Sequence, residues 1–146
     1  MCVSQITNIA LVGIGSIGKR HHMAIEQIDN INLAGIVDLS KHAKIYCDDK
    51  KIPLYKNINN LKIEHNIDGV IISTPTILHH ENSIAALKLG LDVLIEKPIS
   101  ATVKEAKEID KIAKDNNLNL NQLLKANSEI EDINKINVGQ EINVPQ

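Results

Sequence analysis

Short apolar runs alternate with stretches of helical periodicity along most of the chain. Ile9–Val12 is continuously apolar inside Asn8–Gly13, which predicts a short strand buried on both faces. Ile17, His21, Ala24, Ile25 and Ile28 recur at helical spacing and predict a helix over that span. Asn32–Asp38 reads as a second strand, Lys41–Asp49 as a short helix and Pro53–Tyr55 as a third strand. Asp68–Thr74 is the clearest strand and stops at Pro75; His79–Leu89 is helical, with Gly90 as its stop signal. Asp92–Glu96 forms another strand before Pro98, and a helix runs from Thr102 to about Asn116. Thr102 and Glu105 make a capping box there, with Ala106, Ile109 and Ala113 on one face. Strands alternating with helices predict an α/β fold with right-handed crossovers and a mostly parallel sheet. After Asn117 the chain turns asparagine-rich and this rhythm fades. The boundary is drawn near Asn121, dividing a domain over 1–121 from an appendage over 122–146.

Composition narrows the picture. A chain of 146 residues is one domain by length and buries roughly 70% of its unfolded surface. Phe and Trp are absent, and Tyr46 and Tyr55 are the only aromatic residues, so Ile, Leu and Val must fill the core. The net charge of −2 is interspersed. With neither a basic stripe nor an aromatic stacking platform, nucleic acid is excluded as the main partner. Cys2 and Cys47 form no disulfide framework or metal pair, so a reducing cytosol is expected. The absence of a signal-peptide pattern and of a membrane-length apolar run points the same way, to a cytoplasmic protein without a membrane partner.

The first strand ends in a glycine turn, Gly13-Ile14-Gly15-Ser16-Ile17-Gly18, that opens a helix. Gly13 allows the tight turn, Gly15 lets backbone approach a pyrophosphate, and Gly18 lets helix pack on strand. The phosphates would lie on free N–H groups at the helix N-terminus. Asp38 ends the second strand 20 residues after Gly18 (38 − 18), the offset of an acid that binds ribose hydroxyls and repels a 2′-phosphate. NAD is therefore the expected cofactor, with Lys41 keeping NADP open. The alternative role for Asp38 is structural, capping the next helix at about Ser40.

Taken with Thr74-Pro75 through His79 and with Glu96-Lys97-Pro98, Gly13 through His21 and Asp38 make the chain resemble the Gfo/Idh/MocA oxidoreductases. These are the glucose–fructose oxidoreductase and inositol dehydrogenase relatives, and the likeness runs from about Ile6 to Asn121. The resemblance implies a Rossmann-type doubly wound parallel sheet binding NAD at its carboxyl edge. It places Gly13, Gly15, Ser16, Ile17, Gly18 and Asp38 on the cofactor, with Ser73, Thr74 and Pro75 lining the dinucleotide. It also puts His79 at the start of its helix near the cofactor, and Glu96 on the same edge. Lys97 is the implied catalytic residue, hydrogen-bonding a substrate hydroxyl beside the carbon whose hydride moves to nicotinamide. The substrate class is a sugar or polyol with a secondary alcohol. Without that context Lys97 is a solvent-exposed lysine at a strand end. The pairs His21-His22 and His79-His80 lack the i, i+4 spacing of a helical metal site, so no metal is expected. His21 is the helix histidine of the family motif, while His22 and His80 are expected at the surface.

The family continues into a second α/β domain that supplies most substrate contacts and an acid–base partner. Nothing in 122–146 resembles it, so the expectation is a cofactor cradle without the substrate half. The tail Asn117–Pro145 is instead similar to the second half of a LysM repeat, a module that binds N-acetylglucosamine polymers. The cues are Leu123, Leu124 and Asn127, then Val138-Gly139-Gln140, with Asn119 and Gln122 as a cap pair. The Thr102 capping box starts a helix too early for Ala101–Lys114 to serve as the first half. Three readings follow: an NAD-binding oxidoreductase domain, a non-catalytic nucleotide-binding fragment, or a glycan-binding protein acting through its tail. The favoured reading of Gln122–Gln146 is a short helix and extended arm packed on the core or on a neighbouring chain, which leaves a homo-oligomer open.

Overall fold

The computed structural model describes residues 6–115. The expected boundary near Asn121, the appendage over 122–146 and the LysM-like half repeat lie outside the described residues. Strands β1 (Thr7–Val12), β2 (Ile31–Val37), β3 (Leu54–Tyr55), β4 (Gly69–Ile72) and β5 (Asp92–Ile95) alternate with helices. The helices are α1 (Ser16–Ile25), α2 (Lys41–Lys50), α3 (Ile58–Glu64), α4 (His79–Lys88) and α5 (Val103–Asp115). All strand pairs are parallel, in the order β3-β2-β1-β4-β5. The sheet grows from β1 to β3 on one side, and α3 then carries the chain back to β4 on the other. This reversal opens a crevice at the carboxyl ends of β1 and β4, the place where open α/β sheets bind ligands.

Alternation along β1 sends Ala10 and Val12 to one face and Leu11 to the other. The first face packs Val70 and Ile72 against Ile58 and Leu61 of α3 and Ala86 of α4. The second packs Ile14 and Ile36 against Ala43 and Cys47 of α2. Both layers are aliphatic, and Tyr55 and Tyr46 stay half-buried at their margins. Cys47 is a free, buried thiol. No described helix is long and apolar enough to cross a membrane.

Two elements differ from the sequence expectation. In α1 the residues turned inward are Gly18, His22 and Ile25, whereas Ile17 and Ile28 are 40% and 43% exposed. Gly18 sets this rotation: a Cβ there would stand 2.2 Å from the Gly13 carbonyl oxygen, so only glycine can face the turn. His22 is thus buried rather than superficial, accepting or donating at Nδ1 across 2.7 Å to the Tyr46 hydroxyl of α2. The second difference is α3, which the periodicity did not announce. Seven residues are too few for a periodic signal, and the helix depends on Asn57, whose side chain accepts the Asn60 N–H at 2.9 Å, and on burial of Ile58 and Leu61. The capping box of α5 is present: Thr102 Oγ1 accepts the Glu105 N–H at 3.3 Å, and Glu105 accepts the Thr102 N–H at 2.9 Å.

Candidate functional site

The turn after β1 is held by three strand ends. Gly13 adopts φ +89°, and a Cβ on it would press into the Ser73–Thr74 backbone at 2.9–3.0 Å. The Ser73 hydroxyl donates to the Gly13 carbonyl at 2.9 Å, and the Gly13 N–H donates to Val37 O at 2.8 Å. Asp38 completes the arrangement. Its Oδ2 accepts the Ile14 N–H at 2.9 Å and its Oδ1 accepts the Ser40 N–H at 2.8 Å. Ser40 in turn caps α2 by accepting the Ala43 N–H. Burial pushes the Asp38 carboxyl up, but the N–H groups of Ile14 and Ser40, the Ser40 hydroxyl and the nearby His42 hold it below the ordinary carboxylate value. The cap of α2 is thus Ser40 rather than Asp38, which instead braces the Ile14 and Ser40 N–H groups and lines the crevice.

That crevice is a cavity of about 390 Å³. Of the residues singled out from sequence, Gly13, Gly15, Asp38, Ser73, Thr74 and Pro75 line it. Ser16, Ile17 and Gly18 stand beside it in the first turn of α1; His79, Glu96 and Lys97 lie off its walls. Unanticipated wall residues are Ile14, Ser40, His42, Lys56, Leu78 and Asn82. Lys41, which had kept NADP open, is not among them; the basic residues lining this cavity are Lys56 and His42. No sequence signal marks Lys56, because only the β2–β3 pairing brings its loop beside Asp38.

Three features suit the cavity to a dinucleotide. Gly15 has open space where a Cβ would stand, so its smallness answers no packing demand of the protein. It also occupies the N-cap position of α1 without any side-chain cap, and the first turn holds no acid. Among the described residues the N–H groups of Ser16, Ile17 and Gly18 have no acceptor, leaving the positive end of the helix free for an anion. Finally, Thr74 Oγ1 is buried without a hydrogen-bond partner among the described residues, and such groups in native structures normally find one.

The histidines of the two adjacent pairs each have their own partners. His21 Nε2 meets Glu96 Oε1 at 2.7 Å, joining α1 to the end of β5. That hydrogen bond, outweighing burial and aided by the Lys97 N–H, holds the Glu96 carboxyl below its ordinary value. His22 bonds Tyr46, His79 bonds two backbone carbonyls, and the half-buried His80 pairs with Glu108 at 3.2 Å. No group of three or more metal-ligating side chains occurs among the described residues. Lys97 is exposed at the end of β5, with its N–H directed to Glu96 Oε2 at 3.2 Å; the Lys97–Pro98 peptide is cis.

Comparison with known proteins places these features in a setting. The profile of the GFO_IDH_MocA oxidoreductase family, NAD-binding Rossmann fold, matches residues 7–122, and that of the LysM domain matches residues 102–145. The chain is 29% identical over 99 residues to glucose-6-phosphate 3-dehydrogenase of Bacillus subtilis, covering 67% of this chain and 28% of that protein. It is 26% identical over 113 residues to inositol 2-dehydrogenase/D-chiro-inositol 3-dehydrogenase of Lactiplantibacillus plantarum, covering 75% and 32%. Its fold is similar to the crystal structure of an NAD-binding protein from Listeria innocua, with a TM-score of 0.71 at 27% identity over 77% of this chain and 34% of that one. The chain spans about a third of the length of the curated relatives it matches.

Proposed function

The chain belongs to the Gfo/Idh/MocA oxidoreductase family through its NAD-binding Rossmann domain, and from that premise we propose that it binds NAD in the crevice between β1 and β4 for hydride transfer with a sugar or polyol. The observation that carries the reading is the convergence of Gly13–Gly15, Asp38 and Ser73–Pro75, from three separate strands, on one cavity. The N–H groups of the first turn of α1 would hold the pyrophosphate, and Asp38 the ribose hydroxyls. Thr74 Oγ1 would gain the partner it lacks. Bound there, the nicotinamide supplies the hydride acceptor. Lys97, on the same edge of the sheet, would hydrogen-bond the substrate hydroxyl and relay its proton. His21 and Glu96 would fix the turn that carries Lys97, since their 2.7 Å contact ties it to α1. The substrate class follows the sugar and inositol dehydrogenases that the chain resembles, and a cytosolic setting suits both the cofactor and the free Cys47.

Equilibrium titration of the intact chain with NADH tests the reading. Saturable binding is expected; absence of binding, with retention on peptidoglycan or chitin through the LysM-matching segment, would replace it with a glycan-binding function. NADH binding with no turnover of any sugar or polyol would leave the chain a nucleotide-binding module.

A further inference from the structure

Leu39 follows β2 and Leu78 closes the turn after β4, so the two flank the glycine turn of β1, which lies between those strands in the sheet. Both line the crevice, and they are 80% and 38% exposed. Asp38, which would hold the ribose hydroxyls, directly precedes Leu39. A nucleoside carries its base and its phosphate at opposite ends of the ribose. With the pyrophosphate at the start of α1, the base is directed outward, between the apolar side chains of Leu39 and Leu78.

Asn82 stands one turn of α4 beyond Leu78, half-buried and lining the same cavity. Its Nδ2 donates to the Leu78 carbonyl oxygen at 2.8 Å. A carbonyl only accepts, so the amide cannot turn over without opposing two oxygens. Its orientation is thereby fixed. Oδ1 and one N–H remain without a partner among the described residues, an acceptor beside a donor. Adenine carries the complementary pair, an exocyclic amino group beside a ring nitrogen, which asparagine engages with two hydrogen bonds. The other polar side chains near Asp38 do not match it. Lys56 only donates, the Ser40 hydroxyl is taken up by the cap of α2, and the His42 ring has no donor beside its acceptor.

We propose that Asn82 is a specificity-determining residue that reads the adenine base of the dinucleotide. Its Oδ1 accepts from the exocyclic amino group, and its free N–H donates to the adjacent ring nitrogen. This rests on the NAD site proposed above and adds recognition of the base to it. A base with a carbonyl in place of the amino group would set two oxygens against each other. With its ribose anchored at Asp38, such a base cannot slide to a new pairing, and the Leu78 carbonyl keeps the amide from adapting.

Isothermal titration of the intact chain compares NADH with reduced nicotinamide hypoxanthine dinucleotide, in which a carbonyl replaces the amino group. NADH should bind the wild-type chain about tenfold more tightly. Asn82→Leu should weaken NADH by a similar factor and bring the two ligands to equal affinity. Equal affinity in the wild-type chain, or an undiminished preference in the variant, would overturn the role of Asn82 and leave the cofactor site standing. Absence of NADH binding by the wild-type chain would overturn both. Should the variant not fold, nitrogen-15 NMR of the wild-type side-chain amides decides the matter. The Asn82 signal should move further on addition of adenosine monophosphate than of inosine monophosphate; equal displacement, or none, would overturn the proposal.

Discussion

Within the glycine turn, three residues of one type do different work, and the difference is measurable. Gly18→Ala drives a Cβ to 2.2 Å from the Gly13 carbonyl and should cost about 2 kcal/mol or more in a denaturation experiment. Gly15→Ala meets nothing; its thermal midpoint should stay near wild type while NADH affinity falls. Equal loss of stability in both variants would remove the assigned ligand role of Gly15. Asp38→Ala should weaken NADH binding by about ten- to a hundredfold and reduce discrimination against NADPH, as isothermal titration would read. Because Asp38 also braces Ile14 and Ser40, some stability goes with it. The folded carboxyls of Asp38 and Glu96 titrate below their ordinary values, so their stabilisation is complete only above the ordinary carboxylate range and is lost as pH falls through the folded values. The destabilisation expected for Glu96→Gln at neutral pH should therefore shrink in acid melts.

Elements show where periodicity is a sound guide and where it misleads. The helix over α5 is legible because Thr102, Glu105, Ile109 and Ala113 satisfy a cap and a face at once; Thr102→Ala should cost about 1 kcal/mol. In α1 the same kind of reading selects the wrong stripe. Apolar spacing points to Ile17 and Ile28, but the contact of Gly18 with Gly13 rotates the helix so that His22 faces inward. A polar residue on the buried stripe is invisible to a hydrophobic pattern until its partner, Tyr46, is known. Tyr46→Phe should accordingly destabilise the packing of α1 on α2 by about 1 kcal/mol. The short α3 escaped because its information lies in one Asn57 cap within an asparagine-rich chain.

Across the whole molecule, an aliphatic core without Phe or Trp supports a sheet covered on both faces by helices. Ile72 ends the interior strand β4, fully buried, next to Ser73 and Thr74. Ile72→Ala should remove about 2–5 kcal/mol and lower NADH affinity only as far as the unfolded fraction rises. The proposed binding site is not a property of any one segment. Its walls come from the ends of β1, β2 and β4, and parallel pairing with the order β3-β2-β1-β4-β5 is what brings them to one edge.

By itself, the sequence determined the alternation of strands and helices, the turn at Gly13–Gly18, the acid at Asp38 and the motifs at Thr74-Pro75 and Glu96-Lys97-Pro98. These are local signals, written in spacing and in residue types that tolerate few conformations. Only the tertiary structure decided that His21 engages Glu96, that Lys56 and His42 line the crevice beside Asp38, and that His79 is not among the residues lining it. Those relations join residues far apart in the chain, and helix rotation and strand order, which no local pattern encodes, set which of them meet.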